Sequence, residues 1–173
     1  ANTEIYTLSL HDALPICPRE RRLIMALIEL LEEKIVKVPL ASFDKQGIIR
    51  ELIDVLAAAG KVEDPEALYK AVCAREELGS TGLEDGFAVP HGKTNGVKDL
   101  AIAIGIAPQG VDFSSADGKP SKLFFLIAAP PDKAGPHIEA LAEIAKLSRS
   151  KALCAALASA ASPADVVSLL RGD

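Results

Sequence analysis

Two apolar runs near the middle of the chain restrict its fold more than any other feature. DLAIAIGIAP, at residues 99–108, predicts a buried strand. KLFFLIAA, at residues 122–129, is fully apolar and predicts the second arm of a hairpin whose turn is ADGKP. Helical patterns precede and follow these strands. The sequence therefore predicts the α/β class, as a single domain with a small mixed central sheet flanked by helices on both sides.

The predicted helices are bounded by residues that commonly start and stop helices. Asp44 opens one helix that Gly60 ends, and Asp64-Pro65 opens a second that runs to about Glu77. Further helices are predicted at 19–34, from Gly135-Pro136 to about Ser148, over KALCAALASA and behind Ser162-Pro163. Two further strands are predicted in KIVKVPL (34–40) and FAV (87–89).

Composition excludes several classes of function. The 173 residues are 49% hydrophobic and 25% charged, which is typical of one soluble globular domain. Apolar runs are too short to cross a bilayer, so no direct membrane insertion is expected. A net charge of −5 argues against nucleic acid and suits a basic protein partner. Three widely spaced cysteines (Cys17, Cys73 and Cys154) match neither a disulfide framework nor a metal motif, which favours the cytoplasm.

The first residues differ in character from the rest of the chain. TEIYTLSLHDALPI resembles translated sequencing-adapter read-through, and it lacks the charged and apolar regions of a signal peptide. We therefore expect a non-native leader at residues 1–18, a domain at residues 19–173 and a natural start at Met25. His11 is left out of the functional interpretation, and residues 1–18 are expected to contribute nothing to activity.

His91, in the sequence FAVPHGK, is the first candidate for chemistry. Pro90 fixes its own φ and keeps Val89 extended, while Gly92 removes a side chain beside the imidazole. This pattern predicts a ring exposed in a loop at the end of a strand, with room for a bulky group beside it. An ordinary turn histidine is the alternative interpretation.

His137 is the second candidate, because it follows Gly135-Pro136 in the first turn of a predicted helix. Unpaired backbone N–H groups and the helix dipole favour an anion at this position and disfavour imidazolium. A neutral imidazole beside an anion site suits phosphate chemistry. A simple helix cap is the alternative interpretation.

Other kinds of site find less support in the sequence. A zinc site needs a third and usually a fourth ligand, and no cluster of carboxylates and cysteines accompanies the two histidines, so no metal is expected. G-x-S-x-G is missing, which argues against a Ser-His-Asp hydrolase. No G-x-G-x-x-G or Walker loop is present, so a nucleotide donor is not expected either.

The run REELGSTGLEDGFAVPHGK (75–93) resembles the active-site signature of type 2 EIIA domains of the phosphoenolpyruvate-dependent sugar phosphotransferase system (PTS). These form the fructose/mannitol class, which includes the nitrogen-regulatory EIIA proteins. The resemblance extends over about residues 25–171, through DKQGIIRELIDVLAAAG, GVDFSSADGKPSKLFFLIAAP and PHIEALAEIAKLSR. Glu84 and Phe87 depart from the usual small and aliphatic residues, which puts the shape of the loop in doubt more than the activity.

The resemblance implies a role for three residues. His91 matches the family histidine that accepts a phosphoryl group, and Arg75 matches the arginine that helps to neutralise it. His137 matches the second family histidine, which lies beside the first and holds the phosphoryl oxygens or orients the ring. Ser80 and Thr81 are expected to shape the loop, and Lys93 is expected to be a solvated charge. No cofactor is implied.

The resemblance also implies partners. The donor would be the phosphocarrier HPr and the acceptor an EIIB domain, so the chain would act as a phosphotransferase component with a phosphohistidine intermediate. An acidic, partly apolar face around His91 is expected to receive the basic carrier. A nitrogen-type regulatory EIIA is the alternative, in which phosphorylation controls binding to kinases or transporters. Both interpretations use His91 and neither identifies a sugar.

Overall fold

The computed structural model describes residues 27–172, so the expectations for residues 1–18, for Met25 and for most of the helix predicted at 19–34 lie outside the described part. Residues 27–30 are helical and a 3-10 turn follows at Glu33–Ile35. The strands are β1 Val36–Lys37, β2 Phe87–Ala88, β3 His91–Lys93, β4 Ala101–Val111 and β5 Ser121–Ala129, and the helices are α1 Lys45–Ala58, α2 Pro65–Glu77, α3 Ala134–Leu147, α4 Lys151–Ala158 and α5 Pro163–Arg171.

A five-stranded mixed sheet forms the centre of the fold. Its order is β1-β4-β5-β2, and β3 also pairs with β5. β4 and β5 form an antiparallel pair, whereas β1, β2 and β3 run parallel to their neighbours. Every residue of β5 except Lys122 is buried, which requires cover on both faces of the sheet. The predicted class, α/β with a mixed sheet between helices, is confirmed.

β2 and β3 lie along the same edge of β5 in one continuous register. Phe87 is paired with Leu123 and His91 with Ile127, so the interruption at Val89-Pro90 introduces no slip. Pro90 has no N–H to donate, but its carbonyl accepts a hydrogen bond of 3.0 Å from the Ile127 N–H. The prediction that His91 lies in a loop is wrong, because His91 is the first residue of β3.

The helix starts follow the predicted capping residues. The Asp44 side chain accepts a hydrogen bond from Gly47 N–H at the start of α1. Asp64 accepts from Ala67 N–H at the start of α2, and Ser162 from Asp165 N–H at the start of α5. A proline follows each of the last two caps, where a missing N–H costs nothing. None of the helices within residues 27–172 is long and apolar enough to cross a membrane.

Two predicted elements near the amino terminus end earlier than expected. The first helix ends at residue 30, and the Leu31 carbonyl accepts from the Arg171 guanidinium at 2.9 Å instead of from a further helical turn. The strand predicted at residues 34–40 is reduced to β1, because Pro39 cannot donate to β4. Leu40 resumes the contact by donating to the Ile106 carbonyl at 2.8 Å.

The hairpin differs from its prediction in its first arm and in the length of its connection. β4 itself is the first arm, with an irregularity between Ile106 and Val111. The turn predicted at ADGKP is present, because the Gly118 N–H donates to the Ser115 carbonyl at 2.9 Å, but it lies within a longer connection at residues 112–120. Phe113 and Ser115 in this connection are buried. The connection therefore packs against the domain.

Candidate functional site

The His91 ring is fixed by its own strand. Its Nδ1 lies 2.9 Å from the Val89 carbonyl oxygen. Because a carbonyl oxygen can only accept, Nδ1 carries the hydrogen and donates it. The lone pair of the neutral ring is therefore on Nε2, on the opposite side of the imidazole. A half-buried histidine held in this tautomer presents a nucleophilic nitrogen.

Gly92 allows helix α2 to lie directly against β3. A Cβ atom on Gly92 would meet the Val72 backbone nitrogen and its Cγ2 atom at 3.0 Å each, which is closer than a well-packed Cβ comes. Helix α2 therefore occupies the place of a side chain at position 92, while the expected room beside the imidazole is present as a pocket that His91 and Gly92 both line. This close packing positions Arg75, one helical turn beyond Ala71, beside the histidine strand.

Arg75 lies in the last turn of α2 and is anchored at one end of its guanidinium. Its Nη1 donates to the Gly79 carbonyl oxygen at 2.8 Å. No carboxylate within residues 27–172 forms an ion pair with it. The remaining N–H groups of the fork are left for a ligand of the pocket, and a fixed planar cation suits a phosphoryl group.

His137 lies on the buried face of α3, together with Ala140 and Ile144. His137 is 4% exposed. Helix α3 begins at Ala134, one residue before the predicted start, and the His137 N–H is already bonded to the Lys133 carbonyl at 3.4 Å. We expected unpaired backbone N–H groups around His137, but the N–H of His137 itself is therefore paired. Its Nδ1 is buried and has no hydrogen-bond partner in the described part of the chain.

The fold brings the three predicted site residues to one pocket. The ring centroids of His91 and His137 are 5.5 Å apart, and the ring planes are inclined by 54°. Both rings line a pocket of about 330 Å³ with Arg75, Ala71, Gly92 and Lys93. Two imidazoles and a guanidinium that face the same open pocket form a site for a small anion.

Burial and nearby cations keep both rings neutral. Burial is the main cause of the lowered pKa of His91, and the positive charges of Arg75 and Lys93 act in the same direction. The hydrogen bond to Val89 opposes this shift. Burial lowers the pKa of His137 to about 4, with further contributions from His91 and Lys93. Both imidazoles are consequently uncharged at neutral pH.

The lining of the pocket is basic. It contains two cations, Arg75 and Lys93, and no carboxylate, so the acidic character expected of the face around His91 does not extend into the pocket itself. Lys93 is exposed, as expected for a solvated charge, and makes no ion pair with a described carboxylate. Leu78 and Ile138, close in the sequence to Arg75 and His137, are largely exposed, but neither lines the pocket, so the apolar character of the face around His91 stays a prediction.

Sequence reasoning missed two charged residues behind the pocket. Lys45 of α1 and Glu76 of α2 form an ion pair of 2.8 Å in which the Glu76 side chain is 7% exposed. Glu76 also accepts hydrogen bonds from the N–H and hydroxyl of Thr81, whose expected role in shaping the loop agrees with this contact. A carboxylate in the last turn of a helix opposes the helix dipole, and that signal could have indicated a partner for Glu76.

The other residues singled out in the sequence do not line the pocket. Phe87 is fully buried and stacks on Phe125 with centroids 5.0 Å apart, whereas Glu84 is exposed. Cys73 and Cys154 are both unpaired thiols, and burial raises the pKa of Cys154. No group of three or more His, Cys, Asp or Glu side chains within residues 27–172 is placed to hold a metal ion.

Comparison with known proteins identifies one family. Residues 29–172 match the family model described as "Phosphoenolpyruvate-dependent sugar phosphotransferase system, EIIA 2". The chain is 41% identical over 123 residues to the PTS system fructose-specific EIIABC component of Bacillus subtilis, which covers 71% of this chain and 19% of the relative. It is 34% identical over 102 residues to the PTS system fructose-specific EIIA component of Haloferax volcanii, which covers 59% of this chain and 66% of the relative. The chain thus spans less than two thirds of both relatives.

Other relatives carry regulatory names. The nitrogen regulatory protein of Escherichia coli is 32% identical over 123 residues, covering 69% of this chain and 74% of the relative. The crystal structure of nitrogen regulatory protein IIA-Ntr from Neisseria meningitidis superposes with a TM-score of 0.73 at 28% identity, covering 84% and 99% of the two chains. The complex of enzyme IIAMTL and phosphorylated enzyme IIBMTL from E. coli has a TM-score of 0.71 at 26% identity, covering 83% and 98%.

Proposed function

The chain belongs to the EIIA 2 family of the phosphoenolpyruvate-dependent sugar phosphotransferase system, and we propose that it accepts a phosphoryl group from HPr on His91 and passes it to an EIIB domain. The observation that carries this proposal is the pocket in which His91, His137 and Arg75 meet. The similarity to fructose-specific EIIA proteins supports it.

The tautomer of His91 supports Nε2 as the attacking atom. The Nε2 lone pair forms the new N–P bond, while the N–P bond of the donor phosphohistidine breaks and its electron pair returns to the donor ring. The proton on His91 Nδ1 stays on the hydrogen bond to Val89 throughout. That bond becomes stronger as positive charge develops on the ring, so it favours the transition state over the ground state.

Arg75 and His137 are proposed to stabilise the charge that develops on the phosphoryl oxygens. Phosphoryl transfer passes through a loose, charge-spread transition state, so catalysis is mainly positioning and electrostatic stabilisation. Arg75 supplies a cation whose orientation is fixed through Gly79. His137 is neutral and carries one N–H that it can donate to a phosphoryl oxygen. No metal or other cofactor is required for these steps.

Onward transfer is the reverse chemistry with a different acceptor. A nucleophile of the EIIB partner attacks phosphorus, the N–P bond at His91 breaks and the electron pair returns to Nε2. The E. coli complex that contains phosphorylated enzyme IIBMTL supports this choice of partner. We place the chain in the cytoplasm, as the spacing of its cysteines predicts.

The experiment is transfer of a labelled phosphoryl group from phosphoenolpyruvate, through enzyme I and HPr, to the purified chain. We expect the wild-type chain to be labelled and to lose the label when a fructose-type EIIB is added. His91→Ala should remove the label, whereas His11→Ala, a change to another of the three histidines, should retain it. A wild-type chain that takes no label from phospho-HPr contradicts the proposal.

A nitrogen-type regulatory function is the second candidate, favoured by the similarity to nitrogen regulatory proteins. In this case phosphorylation of His91 would alter binding to a kinase or a transporter without delivering phosphate to a sugar permease. Transfer to EIIB separates the two functions. A chain that accepts phosphate from HPr but gives none to any EIIB of the fructose or mannitol type supports the regulatory function.

A further inference from the structure

We propose that Glu76, held in place by Lys45, is a positioning residue for the phosphoryl-acceptor site, and the proposal rests on the function proposed for His91. Glu76 lies outside the lining of the pocket. It acts through residues 79–82, in the loop between α2 and β2, the strand that precedes the His91 strand β3.

The Glu76 carboxylate binds groups from two other parts of the chain. Its Oε2 lies 2.8 Å from Lys45 Nζ of α1. Its Oε1 lies 3.2 Å from the Thr81 N–H and also accepts from the Thr81 hydroxyl. The Glu76 side chain is 7% exposed, so water offers few competing partners. Helix α1, helix α2 and the loop are therefore joined at one carboxylate.

A short path of hydrogen bonds leads from this carboxylate to the reacting ring. Glu76 fixes the Thr81 backbone, and the Thr81 carbonyl accepts from the Val89 N–H at 3.0 Å. The Val89 carbonyl in turn accepts from His91 Nδ1 at 2.9 Å. The position of the Val89 carbonyl determines which nitrogen of His91 carries the proton. Displacement of Thr81 would thus disturb the nucleophilic tautomer.

A second path leads from the same pair to Arg75. Arg75 precedes Glu76 in the last turn of α2, and its guanidinium is anchored to the Gly79 carbonyl of the loop. The adjacent Ser80 hydroxyl accepts from Lys45 Nζ at 3.3 Å and donates to the Phe113 carbonyl at 2.7 Å. Lys45 and Glu76 hold Ser80 and Thr81, the two residues that follow Gly79, and so fix the carbonyl that anchors the cation at the pocket.

Stability alone is a poor explanation for an ion pair in which the Glu76 carboxylate is buried and the Lys45 side chain is 26% exposed. Desolvation of two charges offsets much of their attraction, and apolar residues of similar size are often as stable. Helices α1 and α2 are also joined by a second ion pair, Arg50 with Glu66 at 2.8 Å, and both of its side chains are largely exposed. Glu66 lies ten residues before Glu76, about 15 Å along the helix. The Arg50–Glu66 pair is therefore a matched control.

The charges that face His91 allow the effects of changing Glu76 and of changing Lys45 to be distinguished. Arg75 and Lys93 lower the pKa of His91, Glu76 raises it, and His137 is neutral. Neutralising Glu76 should therefore lower the pKa of His91 further. Removing the charge of Lys45 leaves the carboxylate unbalanced and should raise it. If the ion pair acts by positioning, transfer should be slower in both variants, although the pKa of His91 changes in opposite directions.

The test compares Glu76→Gln and Lys45→Met with the control Glu66→Gln. Single-turnover labelling from phospho-HPr gives the rate, and ¹⁵N NMR titration of the unphosphorylated protein gives the tautomer and pKa of His91. We expect both variants to be roughly 10- to 100-fold slower, as for a small misplacement of reacting groups. Both should also show a smaller population of the Nδ1–H tautomer. The control should stay within about twofold of wild type, since an exposed pair contributes little.

Two results would overturn the proposal. If the folded variants keep the wild-type rate and tautomer, the pair is only structural. If the transfer rate falls in one variant and rises in the other, following the opposite changes in the pKa of His91, the pair acts by its charge and not by position. Lys45→Met retains a test if Glu76→Gln does not fold. The NMR measurement needs no phosphate donor, so it stands even if the wild-type chain takes no label, which would contradict the proposed function instead.

Discussion

The imidazole rings of His91 and His137 lie with their centroids 5.5 Å apart, one on an edge strand and the other on the buried face of helix α3. Their environments differ. His91 Nδ1 is bonded to the Val89 carbonyl, whereas His137 Nδ1 is buried with no partner in residues 27–172. The first ring is thus fixed in its tautomer by the backbone. The second is kept neutral by burial, which suits a donor to an anion bound beside the first.

Replacement of His137 is expected to slow phosphoryl transfer without abolishing it. His137→Ala removes a donor that acts mainly on transition-state charge, and such donors are worth about 10²–10³ in rate. The variant should still fold and still accept phosphate on His91, and onward transfer to EIIB should be impaired at least as much. Single-turnover transfer from phospho-HPr measures the effect.

The matched variant is His137→Gln, which keeps an N–H donor of similar reach. It should recover part of the rate lost in His137→Ala. Wild-type rates in His137→Ala would reduce His137 to a helix residue and contradict the two-histidine site.

Acid should destabilise the fold through His137. Its pKa is lowered from 6.5 to about 4, so between these values the unfolded chain binds more protons than the native protein, and stability falls as the pH falls. The loss amounts to at most about 3 kcal/mol by pH 4. Urea unfolding from pH 7 to pH 4 measures it. His137→Gln should lack this part of the pH dependence. An equal change in the free energy of unfolding with pH in the two proteins would contradict the prediction.

Gly92→Ala should destabilise the domain and slow transfer together. The new Cβ would lie 3.0 Å from Val72 of α2, and overpacking of this kind costs about 1–3 kcal/mol. Displacement of α2 also moves Arg75 away from the pocket. Gly135→Ala is the control, because its Cβ would meet nothing within 4 Å. Urea midpoints and single-turnover rates that are alike in the two variants would contradict this account of Gly92.

Arg75→Lys should fold normally but transfer phosphate at least roughly 10-fold more slowly. Lysine keeps the charge but has no fork with which to hold the Gly79 carbonyl and a phosphoryl oxygen at the same time. Arg50→Lys, which removes a guanidinium stacked 3.6 Å over the Tyr69 ring, is the control and should leave the transfer rate unchanged. A full rate in Arg75→Lys would show that charge alone is sufficient.

Sequence patterns predicted the helices well because their ends depend on local groups. Asp44, Asp64 and Ser162 cap their helices by accepting from an N–H three residues ahead. Strand lengths were predicted less well. β1 is limited to two residues by Pro39, and β4 continues through an irregularity into a long connection, since both depend on partners far away in the chain.

The site residues could be named from the sequence, but their contacts could not be derived from it. Only the packing of α3 and α2 against the sheet brings His137 and Arg75 to His91. The spacing of His137, Ala140 and Ile144 on one face of a helix does indicate that the ring is buried. The pairing of Glu76 with Lys45 had no signal of comparable strength, because it joins two helices across a loop.

The most direct test of the account is to identify the nitrogen that carries the phosphoryl group. The chain is incubated with phosphoenolpyruvate, enzyme I and HPr, and the product is mapped by mass spectrometry under basic conditions and by ¹⁵N NMR of its histidines. We predict a single phosphohistidine at His91, bonded through Nε2, which His91→Ala abolishes. A phosphoryl group on His137, or one that persists in His91→Ala, would contradict the account.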